Sequence, residues 1–246
     1  MTTFPQSLEE AITQAKQATL AAIADGYTRL QVELVIPEIA LQAQSLAWEF
    51  ANIFEESGFG VKVMFPDTGA AMLAKRDWGE TAFRVTDMGS RFTAVETQIA
   101  PEDKIFILAA PSSVEVDRVE QICNLAGDRP VILLIPQLED VAVVGIGYAA
   151  RQLRERFINT LYSCYYVRPL DNAAILRNHP SQWQVWLTKD EGNELATELS
   201  SKPVGEDLER LLLQLTNPDA DTKSARAVKK PSFLGNLQQF LRALSQ

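Results

Sequence analysis

Two periods of apolar and polar positions interleave along this chain. After the capping box Ser7-Leu-Glu-Glu10, Leu8, Ile12, Ala15, Ala22 and Ile23 recur at helical spacing until Gly26. Leu30, Val32, Leu34 and Ile36 then alternate with Gln31 and Glu33, which predicts a strand that Pro37 closes. A second amphipathic helix is expected over 39–57, with Leu46, Phe50, Ile53 and Phe54 on its buried side. Further strands are expected at Val61–Phe65, Phe83–Val85, Ile105–Ala110, Val131–Ile135 and Tyr162–Val167, with a second apolar run at Val141–Val144. Helices are expected at 70–77, 114–126 and after Gly147. Shorter strands at Ala173–Leu176 and Gln184–Leu187 follow, with Trp183 and Trp186 on opposite faces of a regular pleat, and then a helix from Glu206 to Leu215.

Strands separated by helical stretches imply βαβ units. The pattern predicts an α/β fold: a three-layer, mostly parallel, Rossmann-like sheet with antiparallel additions at one edge. We read residues 1–215 as this domain, 216–232 as a flexible linker, and 233–246 as a C-terminal amphipathic helix. In that last helix Phe233, Leu234, Leu237, Phe240, Leu241 and Leu244 oppose Asn236, Gln239 and Arg242.

Charge changes the picture at the tail. The net charge is −9, which argues against a general nucleic-acid binder. Lys223, Arg226, Lys229, Lys230 and Arg242 fall after residue 221 with no acid among them, so the first 221 residues carry −14. The tail therefore suits an anionic membrane surface, a partner, or its own acidic body. Cys123 and Cys164 are the two cysteines, unpaired in spacing and expected to be buried small hydrophobes in a reducing compartment. No signal peptide is read at the N-terminus, no run of about 18 apolar residues predicts a membrane span, and no motif calls for a cofactor.

Candidate chemistry gathers where strands deliver the chain to helices, the usual ligand edge of an open α/β sheet. Asp67 and Gly69 follow one strand; Ser112 and Ser113 follow another and are equally placed to cap the next helix. Gly145-Ile-Gly147-Tyr-Ala-Ala150 fits GxGxxA, either a phosphate-approaching turn or a tight entry into a helix packed closely on the sheet. Arg151 and Arg154 share a face of that helix, Arg151 placed for a phosphate and Arg154 for a partner, or both for a solvated surface. Glu102-Asp103 and Glu139-Asp140 read as turn formers. His179 stands in a turn-like Arg-Asn-His-Pro setting, and one histidine without a GxSxG elbow makes a serine hydrolase a poor fit. Lys229, Lys230, Leu237, Phe240 and Leu241 are the tail's candidate contact residues.

The runs Pro130-Val-Ile-Leu-Leu-Ile-Pro-Gln-Leu-Glu-Asp140, Val144-Gly-Ile-Gly147 and Ala150-Arg-Gln-Leu-Arg-Glu-Arg-Phe157 resemble an uncharacterised domain family of cyanobacteria and plastids. Asp67-Thr-Gly69, Ala74-Lys-Arg-Asp-Trp-Gly79, Tyr166-Val-Arg-Pro169 and Leu176-Arg177 with Trp183 extend the likeness over about residues 10–215. One plant member is the low-photosystem-II-accumulation protein three. The resemblance implies a non-enzymatic accessory factor in photosystem II assembly, peripheral to the cytoplasmic face of the thylakoid, with assembly proteins or subunits as partners. The residue reading keeps two others: a binder of, or enzyme acting on, a phosphorylated small molecule or nucleotide at the sheet's C-terminal edge, and a plain structural dimer.

Overall fold

A computed structural model describes residues 3–55, 60–89, 93–139, 148–190 and 192–216. The strands are β1 (Arg29–Leu34), β2 (Val61–Phe65), β3 (Arg84–Asp87), β4 (Ile105–Ala109), β5 (Val131–Leu134), β6 (Tyr162–Leu170), β7 (Ala173–Asn178), β8 (Trp183–Lys189) and β9 (Gly192–Leu199). The helices are α1 (Leu8–Ala24), α2 (Ala43–Glu55), α3 (Thr68–Trp78), α4 (Val116–Ala126), α5 (Tyr148–Arg156) and α6 (Gly205–Thr216). The strands form one sheet in the order β3-β2-β4-β5-β1-β6-β7-β8-β9. It is parallel from β3 to β6 and antiparallel from β6 to β9. This is the expected mostly parallel α/β sheet with antiparallel strands at one edge.

Alternation of side chains sorts the core onto the two faces. Leu30, Val32 and Leu34 of β1 and Val61, Val63 and Phe65 of β2 pack under α1, α2 and α3. On the opposite face Phe106, Leu108, Val131 and Leu133 meet Val119, Ile122 and Cys123 of α4 and Leu153 of α5. A third, smaller cluster there joins Tyr166, Ile175 and Trp183 to Leu208 of α6. Trp186 lies in the first cluster and Trp183 in the third, so the two indoles do take opposite faces. Both cysteines are buried, and burial pushes the Cys164 thiol up to about 11 and Cys123 to about 12.

Proline stops the parallel strands. Pro37, Pro66, Pro111 and Pro136 come just after β1, β2, β4 and β5, where a residue without an N–H donor cannot extend the ladder. Two of these ends share a device: Ala110 (φ 48°) and Ile135 (φ 45°) hold left-handed backbone immediately before proline, and Ser112 then bridges Gln137 in parallel. A β-branched residue in that region is strained, and strain of this kind gathers at functional sites.

Two features depart from the sequence reading. β9 was not foreseen: it is a largely exposed edge strand whose Glu194 and Glu198 break the apolar alternation. Asp103 is more than a turn former. It is wholly buried, pairs with Arg84 and with Lys62 (3.8 Å), and accepts from the Ala100 N–H at 2.8 Å. Burial holds the Lys62 ammonium below its ordinary range, and Asp103 pulls the other way.

Candidate functional site

The order of strands creates two places where neighbouring parallel strands send their helices to opposite faces, the condition for a crevice at the C-terminal edge. One lies between β2 and β4, the other between β5 and β1. The sequence candidates divide between them, and their surroundings differ.

At the first, Asp67 caps α3 by accepting from Ala70 N–H at 2.9 Å. Gly69 is beside it: a Cβ there would meet the Asp67 carboxylate at 3.0 Å. Ser112 does not cap α4, whose N-cap is Glu115; Ser112 donates to the Glu115 carboxylate (2.6 Å) and accepts from Val114 N–H, with Ser113 half-buried next to it. These four residues shape strand-to-helix turns, and none lines the large groove of this protein.

At the second, a groove of about 880 Å³ crosses the sheet face over β1. Its walls are the loop after β5 (Pro136 to Glu139) and the segment Ile158 to Leu161 on one side, and Trp183 and Lys202 on the other. A hollow of about 550 Å³ adjoins it at the C-terminal edge, and Pro136 and Gln137 belong to both, so the strained Ile135 turn carries the rib between them. Gly145 and Gly147 lie outside the described residues, as do Lys229, Lys230, Leu237, Phe240 and Leu241 of the tail. Arg151 is exposed on α5. Arg154 stands at the groove's rim, its guanidinium 2.6 Å from Glu139.

The groove exists because the central strand is polar on one side. Gln31 and Glu33 project from β1 between the two apolar clusters of that face. A bulge completes the floor: Gln31 pairs with Ser163 but Val32 with Tyr165, leaving Cys164 as an extra residue in β6. Ser163 and Tyr166, three apart, therefore both take the groove side, while Cys164 and Tyr165 both enter the first core.

Most polar groups here are tied to one another. Glu33 accepts from Ser163 Oγ (2.6 Å) and from Lys202 Nζ (2.9 Å), and that ammonium also sits 4.1 Å above the Tyr166 ring. Burial pushes the Tyr166 phenol up to about 12. Arg177 lies between the Tyr162 and Trp183 rings, 5.0 and 5.2 Å from their centroids, and donates to Tyr162 Oη at 2.9 Å. Its Nε is buried without an acceptor, and among the described residues no carboxylate pairs with it. Tyr162 also meets His179 Nδ1 at 2.7 Å, and His179 Nε2 meets Asp25 at 2.9 Å.

Sequence reasoning did not single out Glu33, Tyr162 or Lys202, and it met His179 only as a lone histidine in a turn. The available signal was Gln31 and Glu33, a polar side on a strand whose other side is Leu30, Val32 and Leu34. Among the described residues no three His, Cys, Asp or Glu side chains converge as a metal site requires, and no helix is long and apolar enough to cross a membrane. Residues 5–210 match the model of a domain of unknown function, DUF1995, and the chain belongs to that family.

Proposed function

We propose that this domain binds a small phosphorylated ligand in the groove over β1, with Arg177 receiving the oxyanion. The carrying observation is the state of the groove's cations. Lys202 is neutralised by Glu33 and Arg154 by Glu139, whereas Arg177 is half-buried with an unsatisfied Nε and no carboxylate partner among the described residues. A sheltered charge without a counter-ion is costly, and a phosphate supplies both the charge and the acceptors. The Trp183 and Tyr162 rings hold the guanidinium in place from either side.

Thermal unfolding against inorganic phosphate, glycerol 3-phosphate, adenosine monophosphate and neutral glycerol tests this. A binding phosphate ester at about 100 times its Kd stabilises the chain by about 2.7 kcal/mol, or a rise in Tm of about 5–10 °C for a domain of this size. Arg177→Gln loses that rise. No rise with any phosphate, or an equal rise in Arg177→Gln, defeats the reading.

For its setting we infer an accessory role in photosystem II assembly at the cytoplasmic face of the thylakoid. Support comes from the quoted motifs, which resemble the family that includes the low-photosystem-II-accumulation protein three, and from the basic, amphipathic tail sequence. The measurement compares cells making the full chain with cells making a chain that ends at Thr216. The full chain is expected in the thylakoid fraction with normal photosystem II content, and the shortened chain in the soluble fraction with reduced content. Identical partition and content in both would remove the tail from this reading.

A further inference from the structure

A continuous hydrogen-bonded chain runs from the surface to the groove: Asp25 Oδ2 to His179 Nε2 (2.9 Å), His179 Nδ1 to Tyr162 Oη (2.7 Å), and Tyr162 Oη to Arg177 Nη2 (2.9 Å). For a neutral imidazole the two ends fix the chain's direction. An ionised carboxylate only accepts and a guanidinium only donates. His179 Nε2 therefore donates to Asp25, the Nδ1 lone pair receives the Tyr162 proton, and Tyr162 Oη accepts from Arg177. This is the order of a hydroxyl, an imidazole base and an orienting carboxylate, with a phenol as the hydroxyl and a guanidinium where negative charge would develop.

We propose that Tyr162 is a proton-transfer group of the groove, acting on a small oxyanion seated on Arg177, with His179 as the base behind it and Asp25 as the positioning residue. The ligand class is a carboxylate or phosphate ester with an ionisable C–H or O–H beside the anion. That ligand bond to hydrogen breaks and leaves its electron pair on the ligand. The proton joins Tyr162 Oη as the phenol's own proton passes to His179 Nδ1, giving an imidazolium paired with Asp25. The reverse transfer restores the relay, and no oxidant or reductant is consumed. The inference rests on the oxyanion reading for its substrate class, while the relay itself stands on separate contacts.

Every group against the relay is consistent with it. Tyr27 stacks on Tyr162 with ring centroids 3.7 Å apart and meets the His179 ring edge-on at 5.7 Å. The Cys164 carbonyl takes the His179 backbone N–H at 2.9 Å. Burial holds the Tyr162 phenol above its ordinary range, Arg177 pulls it down, and Tyr27 adds to the rise. At neutral pH the group is thus a phenol that needs a base to act, as a serine hydroxyl does.

The full chain is tested with two phenol-directed probes, benzenesulfonyl fluoride and 4-(fluorosulfonyl)benzoate. Attack by Tyr162 Oη forms an S–O bond, expels fluoride and leaves the proton on His179. With the neutral probe Tyr162 should label about tenfold or more faster than Tyr148, the more exposed phenol at 78 %. Asp25→Asn, at a side chain 60 % exposed and so safe for folding, and His179→Gln should each remove that advantage, and Asp25→Glu should restore it. The wild-type rate should be high already at neutral pH, where a phenol without a base stays protonated. In His179→Gln it should climb only above the ordinary phenol range, where the half-buried Tyr162 itself ionises. Labelling of Tyr162 no faster than Tyr148, or an unchanged rate and pH profile in both variants, overturns the relay. If the neutral probe is fast but its carboxylate analogue gains nothing, the relay stands and the oxyanion reading fails. If phosphate esters stabilise the chain through Arg177 while Tyr162 labels slowly, the reverse holds.

Discussion

Asp103→Ala should cost the chain about 3–5 kcal/mol, read as a lowered urea midpoint at unchanged slope. The carboxylate is wholly buried and faces Lys62 at 3.8 Å and the Arg84 guanidinium. Arg84 reaches solvent and can keep Glu102, at 2.9 Å, as its partner. Lys62 has no such exit, for only 5 % of it is exposed and its ammonium otherwise donates to the Gln98 carbonyl. Removing Asp103 leaves that charge stranded and the Ala100 N–H without its acceptor. Asp103→Asn, which keeps an acceptor but not the charge, should fall between. A loss below about 1 kcal/mol for the alanine variant would mean that Lys62 rearranges to water and that the pair is not structural.

Phe106→Ala should cost about 3–5 kcal/mol by the same measurement. Its ring is fully buried beneath α4, with the Arg129 guanidinium 5.0 Å from its centroid. Arg129 in turn donates to the carbonyls of Leu125 and Ala126 at the end of α4 and of Ala100 and Asp103 in the turn before β4. Emptying the ring's site thus leaves a cavity and loosens the arginine that ties helix to turn. Because Arg129 also holds the turn that carries Asp103, the double variant should lose less than the two single losses added. Strict additivity would show the two networks to be independent.

The architecture was legible where one physical rule acts alone. Fully apolar strands such as Ile105–Ala109 and Val131–Leu134 announce burial on both faces, and the prolines after β1, β2, β4 and β5 mark their ends. β9 escaped because an edge strand is selected for charge rather than alternation. The site escaped for a different reason. His179 meets Tyr162, 17 residues away, and Asp25, 154 away, so no local pattern joins them. Glu33 reads as the solvent side of a half-buried strand until the sheet order puts β1 in the middle, where a polar side must face something. The bulge at Cys164, which aims Ser163 and Tyr166 together, leaves no mark in the sequence.

The position of β1 also governs how the chain can be made. Of the nine strands described it is the first synthesised, yet its neighbours are β5 and β6: Arg29 pairs with Val131, and Leu30 with Tyr162. At about 5–20 residues per second of synthesis, Leu30, Val32 and Leu34 wait roughly 5–20 s before either flank exists. Closing such long loops is slow, whereas β6 to β9 form by neighbouring hairpins. The backbone edges of β1 therefore stay unpaired until β5 and then β6 are made, although α1 is already there to cover one face.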